Sequence, residues 1–149
     1  MEHKIDIGRY LKYQKTLGDL YTKMIEQAAS QVGLTKPEAD VLLFFANHRE
    51  YTTAADAVRM RGLSKGYVSK AVDGLSGKGL IQIRVGSGDR RFQHITVEPC
   101  AGEAAAKLQA VQKEYIRILV KGFTADEKEQ LMELLGRMSR NCQITVKNK

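Results

Sequence analysis

Metal-binding and disulfide-forming residues are scarce in this sequence of 149 residues. It has two cysteines, three histidines and no tryptophan. Cys100 and Cys142 match no metal-site spacing, and His3, His48 and His94 are scattered, with no cysteine or carboxylate pair beside them. We therefore predict no metal site and two free thiols, as is usual in a reducing compartment.

Three further absences narrow the class of protein. No apolar run approaches the roughly 18 residues that a membrane span needs. The first residues, MEHKIDIGRYLKYQ, also lack the apolar core of a secretory signal. The sequence contains no Gly-rich phosphate loop, nucleophile elbow or paired-carboxylate arrangement. We therefore expect a cytoplasmic protein that is not an enzyme and uses no cofactor.

Acidic residues are too few to balance the basic ones. The chain has 17 Asp and Glu against 24 Lys and Arg, which gives a net charge of +7. Residues 51–97 hold eight Lys and Arg but only three Asp, a surplus of five positive charges in a third of the chain. Such a local excess favours a polyanionic partner, either nucleic acid or an acidic membrane surface.

Long apolar stripes mark both ends of the chain. Apolar residues recur at steps of three and four over residues 4–32, which predicts a helix of roughly 40 Å that ends at Gly33. Similar stripes follow Pro99 up to Gly122, and again over residues 131–138. These stripes are too long for a core of about fifty residues to cover, so pairing with a second copy is the simplest way to bury them.

Three capping boxes predict where helices begin. Thr35 and its partner Glu38 open a helix over residues 39–47, which we expect to be buried on nearly all sides because residues 41–45 read VLLFF. A second box at Thr53 opens a short helix that runs to about Met60. A third box at Thr124 opens the last helix.

The middle of the chain has the pattern of a helix-turn-helix followed by a hairpin. Residues 61–63 form a Gly-containing turn, and Ser64 caps a helix that places Val68, Val72 and Leu75 on one face. Strand-like alternation follows over residues 80–85 and 92–97, separated by the turn residues 86–89. A hairpin with an arginine-bearing tip directly after the second helix is a wing.

The predicted fold is therefore mainly α with a small β-hairpin wing (α+β). A winged helix-turn-helix core is flanked by long N- and C-terminal dimerisation helices. We expect one winged-helix protein over residues 1–149, with the winged lobe at residues 35–97 and the dimerisation helices at residues 1–34 and 98–149.

Three segments resemble the MarR family of bacterial winged-helix regulators. Residues 63–75, LSKGYVSKAVDGL, resemble that family's recognition helix, and residues 78–81, KGLI, resemble the entry to its wing. Asp89, Arg90 and Arg91 match its acidic-x-arginine wing signature. The resemblance implies that Arg91 enters the DNA minor groove while Asp89 holds it, and that Arg90 contacts a phosphate or the groove. The alternative for this tip is a loop salt bridge of no consequence.

The helix that begins at Lys65 carries the predicted major-groove contacts. Lys65 and Lys70 can neutralise phosphate or reach guanine O6 and N7, and Ser64 and Ser69 can donate to phosphate. Tyr67 offers a hydroxyl group and an apolar ring for a thymine methyl. The alternative is that this face is the solvated surface of a structural helix.

Two further sites are hypotheses from the sequence. Tyr10, Tyr13 and Tyr21 are candidates to line a pocket for an aromatic or phenolic effector, or else to lie in the dimer interface. Cys100 falls in a first helical turn, where the helix dipole favours a reactive thiolate and hence redox sensing. The peroxide-sensing members of the family resemble one another in a cysteine near the start of the first helix, which this chain lacks.

The function expected from the sequence is sequence-specific binding of double-stranded DNA by a homodimer. The protein would be a transcriptional regulator, a ligand-responsive repressor that binds a pseudo-palindromic operator. Two alternatives remain open at this point: a winged-helix adaptor whose basic face meets an acidic protein, and a non-specific architectural DNA binder.

Overall fold

The computed structural model describes residues 4–86 and 93–147. Within them the chain forms six α-helices, one 3₁₀ turn (Pro99–Ala101) and one β-hairpin. The elements in order are α1 (Ile7–Gln31), α2 (Lys36–Asn47), α3 (Ala54–Arg61), α4 (Lys65–Gly77), β1 (Ile81–Val85), β2 (Gln93–Val97), α5 (Gly102–Leu119) and α6 (Ala125–Lys147). The predicted fold class, mainly helical with a small hairpin, is confirmed. The chain divides into two compact units, Met1–Tyr115 and Ile116–Lys149.

Helix α2 is the centre of the first unit. All residues from Glu38 to Phe45 are buried, so the predicted burial on nearly all sides is confirmed. The helix packs against α1, α3, α4 and β2. Since burying one large apolar side chain stabilises a fold by about 1.5–3 kcal/mol, each residue of the VLLFF run contributes substantially to the stability of this lobe.

All three predicted capping boxes are present. In each, the threonine hydroxyl accepts a hydrogen bond from the backbone N–H three residues later, and the acidic side chain there accepts one from the threonine N–H. The pairs are Thr35 with Glu38, Thr53 with Asp56, and Thr124 with Glu127. The first helix departs from the prediction because Asp6 accepts a hydrogen bond from the N–H of Arg9 at 3.0 Å, so α1 begins at Ile7 rather than Lys4.

The helix-turn-helix is formed by α3 and α4. Gly62 adopts a left-handed conformation with φ of 77°, which lets the chain turn sharply at the end of α3. Ser64 then caps α4 by accepting from the N–H of Tyr67 at 3.2 Å. Val68, Val72 and Leu75 are buried on the inner face of α4, as predicted.

The hairpin is antiparallel and is attached to the rest of the lobe. Ile81 pairs with Val97 and Ile83 with Ile95. The N–H of Ile95 also donates to the carbonyl oxygen of Thr52 at 2.6 Å, which ties β2 to the loop before α3. Of the predicted turn at residues 86–89, only Gly86 lies within the described residues.

The second unit is built mainly from α6. Every described residue of α6 is at least partly accessible, and its apolar stripe is exposed, with Leu134 at 53% and Leu135 at 48% of full exposure. None of the described helices is long and apolar enough to cross a lipid bilayer.

Candidate nucleic-acid interface

The outer face of α4 is polar and accessible. Lys65, Ser69, Lys70 and Asp73 are exposed, whereas Val68 and the other inward residues of α4 are buried. Neither Lys65 nor Lys70 forms an ion pair with any residue in the described part of the chain. With no ion-pair partner among the residues that the structure describes, both ammonium groups are placed to meet a phosphate or a base edge.

The hydroxyl of Ser64 caps the N-terminus of α4. Its oxygen accepts from the N–H of Tyr67, which satisfies one free donor in the first turn of α4. The hydroxyl proton can still donate to an anion. The remaining N–H groups of this turn and the helix dipole favour a negative group at the same end.

Tyr67 differs from its prediction in one respect. Its hydroxyl donates to Oδ2 of Asp40 at 2.7 Å, and Lys36 Nζ lies 3.4 Å from the same hydroxyl. Burial and the Asp40 carboxylate raise the pKa of Tyr67, so the hydroxyl stays protonated as a donor. The hydroxyl predicted to contact DNA is thus bonded within the protein, and only the half-buried ring is left to approach a base.

Two buried carboxylates on α2 lie beneath α4. Asp40 is 2% exposed and Glu38 is 5% exposed. Lys36 Nζ lies 2.7 Å from Oδ2 of Asp40, and Lys78 Nζ lies 2.6 Å from Oε1 of Glu38. Sequence reasoning missed both contacts, although two acidic residues inside an otherwise apolar helix were a usable signal, since buried charges are normally paired.

A groove adjoins the outer face of α4. It has a volume of about 470 Å³ and lies between the start of α3, the exposed face of α4 and the hairpin. Its walls combine apolar side chains such as Val58 and Ile83 with the polar groups of Lys65, Ser69 and Asp73. Two of the predicted contact residues, Lys65 and Ser69, thus line a concave, partly apolar surface rather than a flat one.

The predicted wing contacts cannot be placed beside α4. Asp89, Arg90 and Arg91 lie outside the residues that the structure describes. Just before them, Arg84 on β1 is exposed, and its guanidinium donates to the side-chain oxygen of Gln82 at 3.3 Å.

The three tyrosines of the predicted effector pocket do not line a common cavity. Tyr10 and Tyr13 border a shallow cavity of about 240 Å³ at the start of α1. Tyr21 instead packs edge-to-face on Tyr115 with ring centroids 5.0 Å apart, and its hydroxyl accepts from Gln112 at 2.9 Å. Eleven residues of helix separate Tyr10 from Tyr21 by about 16 Å, too far for one small ligand.

Cys100 lies in the 3₁₀ turn rather than in the first turn of α5. Its thiol is exposed and donates to the carbonyl oxygen of Gly79 at 3.3 Å. Glu98, the residue before this turn, makes no side-chain cap. The redox hypothesis therefore rests on an exposed thiol that is hydrogen-bonded to the backbone next to the hairpin.

The fold is that of a winged helix-turn-helix protein. Four features define it: the order of the helices, the left-handed turn at Gly62, the accessible basic helix α4 and the hairpin. Residues 32–91, which include the helix-turn-helix, match the family model of the MarR family. Over these residues the chain is similar to the MarR family of transcriptional regulators, as the motifs at residues 63–91 predicted.

Solved structures share this fold over most of their length. The MarR protein from Peptoclostridium difficile is 20% identical, with a TM-score of 0.81 over 97% of this chain and 94% of that chain. A MarR family regulator from Listeria monocytogenes in complex with 26mer DNA is 14% identical, with a TM-score of 0.78 over 93% of this chain and 89% of that chain. MepR of S. aureus in complex with DNA is 18% identical, with a TM-score of 0.73 over 87% of this chain and 93% of that chain. No curated protein matches the chain.

Proposed function

We propose that this protein is a homodimeric, sequence-specific DNA-binding regulator that occupies a pseudo-palindromic operator and represses transcription by occluding a promoter. The observation that carries the proposal is the outer face of α4, where Lys65 and Lys70 are exposed and unpaired among the described residues beside a capped helix N-terminus. Two of the similar structures are of regulators bound to DNA, which supports the same partner for this chain.

On each half-site, α4 would enter the major groove. Lys65 and Lys70 would bind phosphate or guanine edges, and Ser64 and Ser69 would donate to phosphates. Arg91, held by Asp89, would enter the adjacent minor groove, and Arg90 would bind a phosphate, as the family signature implies. Narrow A·T-rich minor grooves concentrate negative potential and so attract arginine.

The exposed apolar stripes support the proposed dimer. On α1, Ile7 and Leu11 are 66% and 53% exposed, and on α6 the stripe through Leu134 and Leu135 is accessible along its length. Exposed apolar stripes of this kind are uncommon on a monomer and favour an interface with a second copy. A two-fold dimer would place its two recognition helices about one turn of DNA apart.

The proposed regulator responds to a small aromatic or phenolic molecule. An effector that binds the dimer more tightly at one spacing of the two winged lobes would shift the population of dimers toward that spacing. The operator affinity would change by no more than the difference in the effector's binding free energy between the two spacings. The aromatic side chains of Tyr10 and Tyr13 offer one surface for it, and Tyr21 offers a separate one.

The deciding experiment is fluorescence anisotropy of the protein on its own upstream DNA and on a scrambled duplex, over a salt series. Binding about 10³-fold tighter to the native duplex, with a steep salt slope, supports an operator-reading regulator. Equal affinity for both duplexes would instead indicate an architectural DNA binder, and negligible affinity for either a protein adaptor. In the same assay, Lys65→Ala should weaken binding to the native duplex. Lys23→Ala, at an exposed lysine of α1, is its matched control and should bind as the wild-type protein does.

A further inference from the structure

The first turn of the recognition helix is attached to a carboxylate that solvent does not reach. The Asp40 side chain has no accessible surface, yet its Oδ2 accepts hydrogen bonds from Tyr67 of α4 and from Lys36, both at 2.7 Å. Residues 40 and 67 are 27 positions apart and belong to different helices. The contact therefore fixes where α4 begins relative to α2.

A second carboxylate of α2 holds the opposite end of α4. Lys78, the residue after the helix, donates to Oε1 of Glu38 at 2.6 Å and to the carbonyl oxygen of Gly33 at 2.9 Å. Glu38 and Asp40 are two residues apart on α2, and between them they bond to both ends of a thirteen-residue helix. Rotation or sliding of α4 across α2 would break at least one of these contacts.

The Asp40 site is incompletely satisfied. Among the residues described, Oδ1 of Asp40 has no hydrogen-bond partner, and Nη2 of Arg61, at the end of α3, is 4.0 Å away. A buried carboxylate with an unpaired oxygen is costly, and apolar residues of similar volume often replace such groups without loss of stability. Stability alone is therefore a poor explanation for an acidic residue at this position.

We propose that Asp40 is a positioning residue for DNA reading: through the Tyr67 hydroxyl it sets the orientation of α4, and with it the discrimination between operator and non-operator DNA. This inference rests on the proposed function. Asp40 cannot contact DNA itself because it is buried, so it acts through Tyr67. Base recognition requires bidentate geometry, whereas phosphate attraction tolerates small rotations of the helix. Loss of the contact should thus weaken specific binding far more than non-specific binding.

The test is a double-mutant cycle of Asp40→Leu, Tyr67→Phe and the double variant, measured on the native upstream duplex and on a scrambled duplex. Each single variant is expected to lose about tenfold in affinity for the native duplex, because a displaced α4 would lose about one good base contact. Affinity for the scrambled duplex should change less than about twofold, and the double variant should lose no more than either single variant. Asp40→Asn keeps an oxygen acceptor for Tyr67 and should restore most of the discrimination.

Tyr51→Phe is the matched control. Tyr51 is a half-buried tyrosine of the same lobe that stacks on Phe44, and within the described part of the chain its hydroxyl forms no hydrogen bond. This variant should bind both duplexes as the wild-type protein does. A loss in Tyr67→Phe with none in Asp40→Leu would show that Tyr67 contacts DNA directly and would overturn the inference. An equal loss on both duplexes, or additive losses in the double variant, would also overturn it.

A readout without DNA separates this inference from the proposed function. Amide hydrogen exchange over residues 65–77 should be faster in Asp40→Leu and in Tyr67→Phe than in the wild type or Tyr51→Phe, while exchange in α5 stays unchanged. Should the wild-type protein fail to discriminate between the duplexes, the proposed function fails, and the exchange comparison still decides whether Asp40 positions α4. Unchanged exchange in both variants would overturn the positioning role.

Discussion

Gly74 of α4 lies directly against the carboxylate of Glu38 on α2. A Cβ atom added at Gly74 would overlap Oε2 of Glu38, with its Cδ and Cγ also in close contact. The carboxylate has little room to move, because Oε1 accepts from Lys78 Nζ and from the N–H of Thr35. The absence of a side chain at position 74 is therefore what lets the recognition helix approach the buried end of α2.

Substitution Gly74→Ala should destabilise the protein. In a helix interior alanine is ordinarily favoured over glycine by about 1 kcal/mol, but overpacking a tight contact costs about 1–3 kcal/mol and here displaces a paired, buried carboxylate. We expect a net loss in the free energy of unfolding, measured by urea denaturation. Gly66→Ala, at a helical position with open space around it, should stabilise. A stable Gly74→Ala variant would show that Glu38 relocates freely.

The pairing of Glu38 predicts a loss of stability in acid. Burial raises the pKa of Glu38, but the hydrogen bonds from Lys78 and Thr35 outweigh it and hold the pKa below its ordinary value of 4.5. Since the folded pKa is the lower one, the stabilisation is complete above about pH 4.5 and is lost as the pH falls through the folded value. Melting temperature should drop over that range, and it should drop less steeply in Glu38→Gln. Melting temperatures that fall equally with pH in the wild type and in Glu38→Gln would contradict this prediction.

The N-cap of α3 should contribute measurably to stability. Thr53→Ala removes the acceptor for the N–H of Asp56 and should cost about 1 kcal/mol, or roughly 2–4 °C in melting temperature. Thr16 in α1 is exposed, and its hydroxyl only donates back to the carbonyl of Lys12, so Thr16→Ala should be neutral or slightly stabilising. Equal effects of the two substitutions would mean that the cap has no particular role.

The exposed lysines of α4 should govern the salt dependence of DNA binding. If Lys65 and Lys70 each neutralise one phosphate, the double alanine variant should lower the slope of log affinity against log salt by about 2. Anisotropy titrations between low and moderate salt measure that slope. An unchanged slope would place both ammonium groups away from the DNA backbone.

The stripe on α6 should control the oligomeric state. Leu134→Lys with Leu135→Lys puts two charges into an exposed apolar face, and sedimentation should then show a shift from the proposed dimer to a monomer. Glu129→Lys, on the opposite face of the same helix, should leave the state unchanged. A dimer that persists in the leucine variant would assign the interface to other residues.

Much of the architecture could be predicted because its signals are local. A capping box involves residues three apart, and a buried helix face repeats every three or four residues, so Thr35, Thr53, Thr124 and the inner face of α4 were all identified from neighbours in the sequence. The turn at Gly62 was also predicted from a local signal, a glycine between two short helical segments. The start of α1 was placed too early because Asp6, a good cap, was not recognised as one.

The contacts beneath the recognition helix could not be predicted, because they join residues far apart in the sequence. The Tyr67 hydroxyl was equally suited to a thymine or to a carboxylate, and only the packing of α4 on α2 brings Asp40 within 2.7 Å of it. The partners of Tyr21 were likewise decided by tertiary packing, which brings Tyr115 and Gln112 of α5 against it. The sequence by itself determined the helices, their caps and the order of the winged lobe, since short-range periodicity and hydrogen bonding define them. The tertiary structure decided which polar groups of that lobe face solvent and which hold the recognition helix, because that choice depends on the partners that folding brings together.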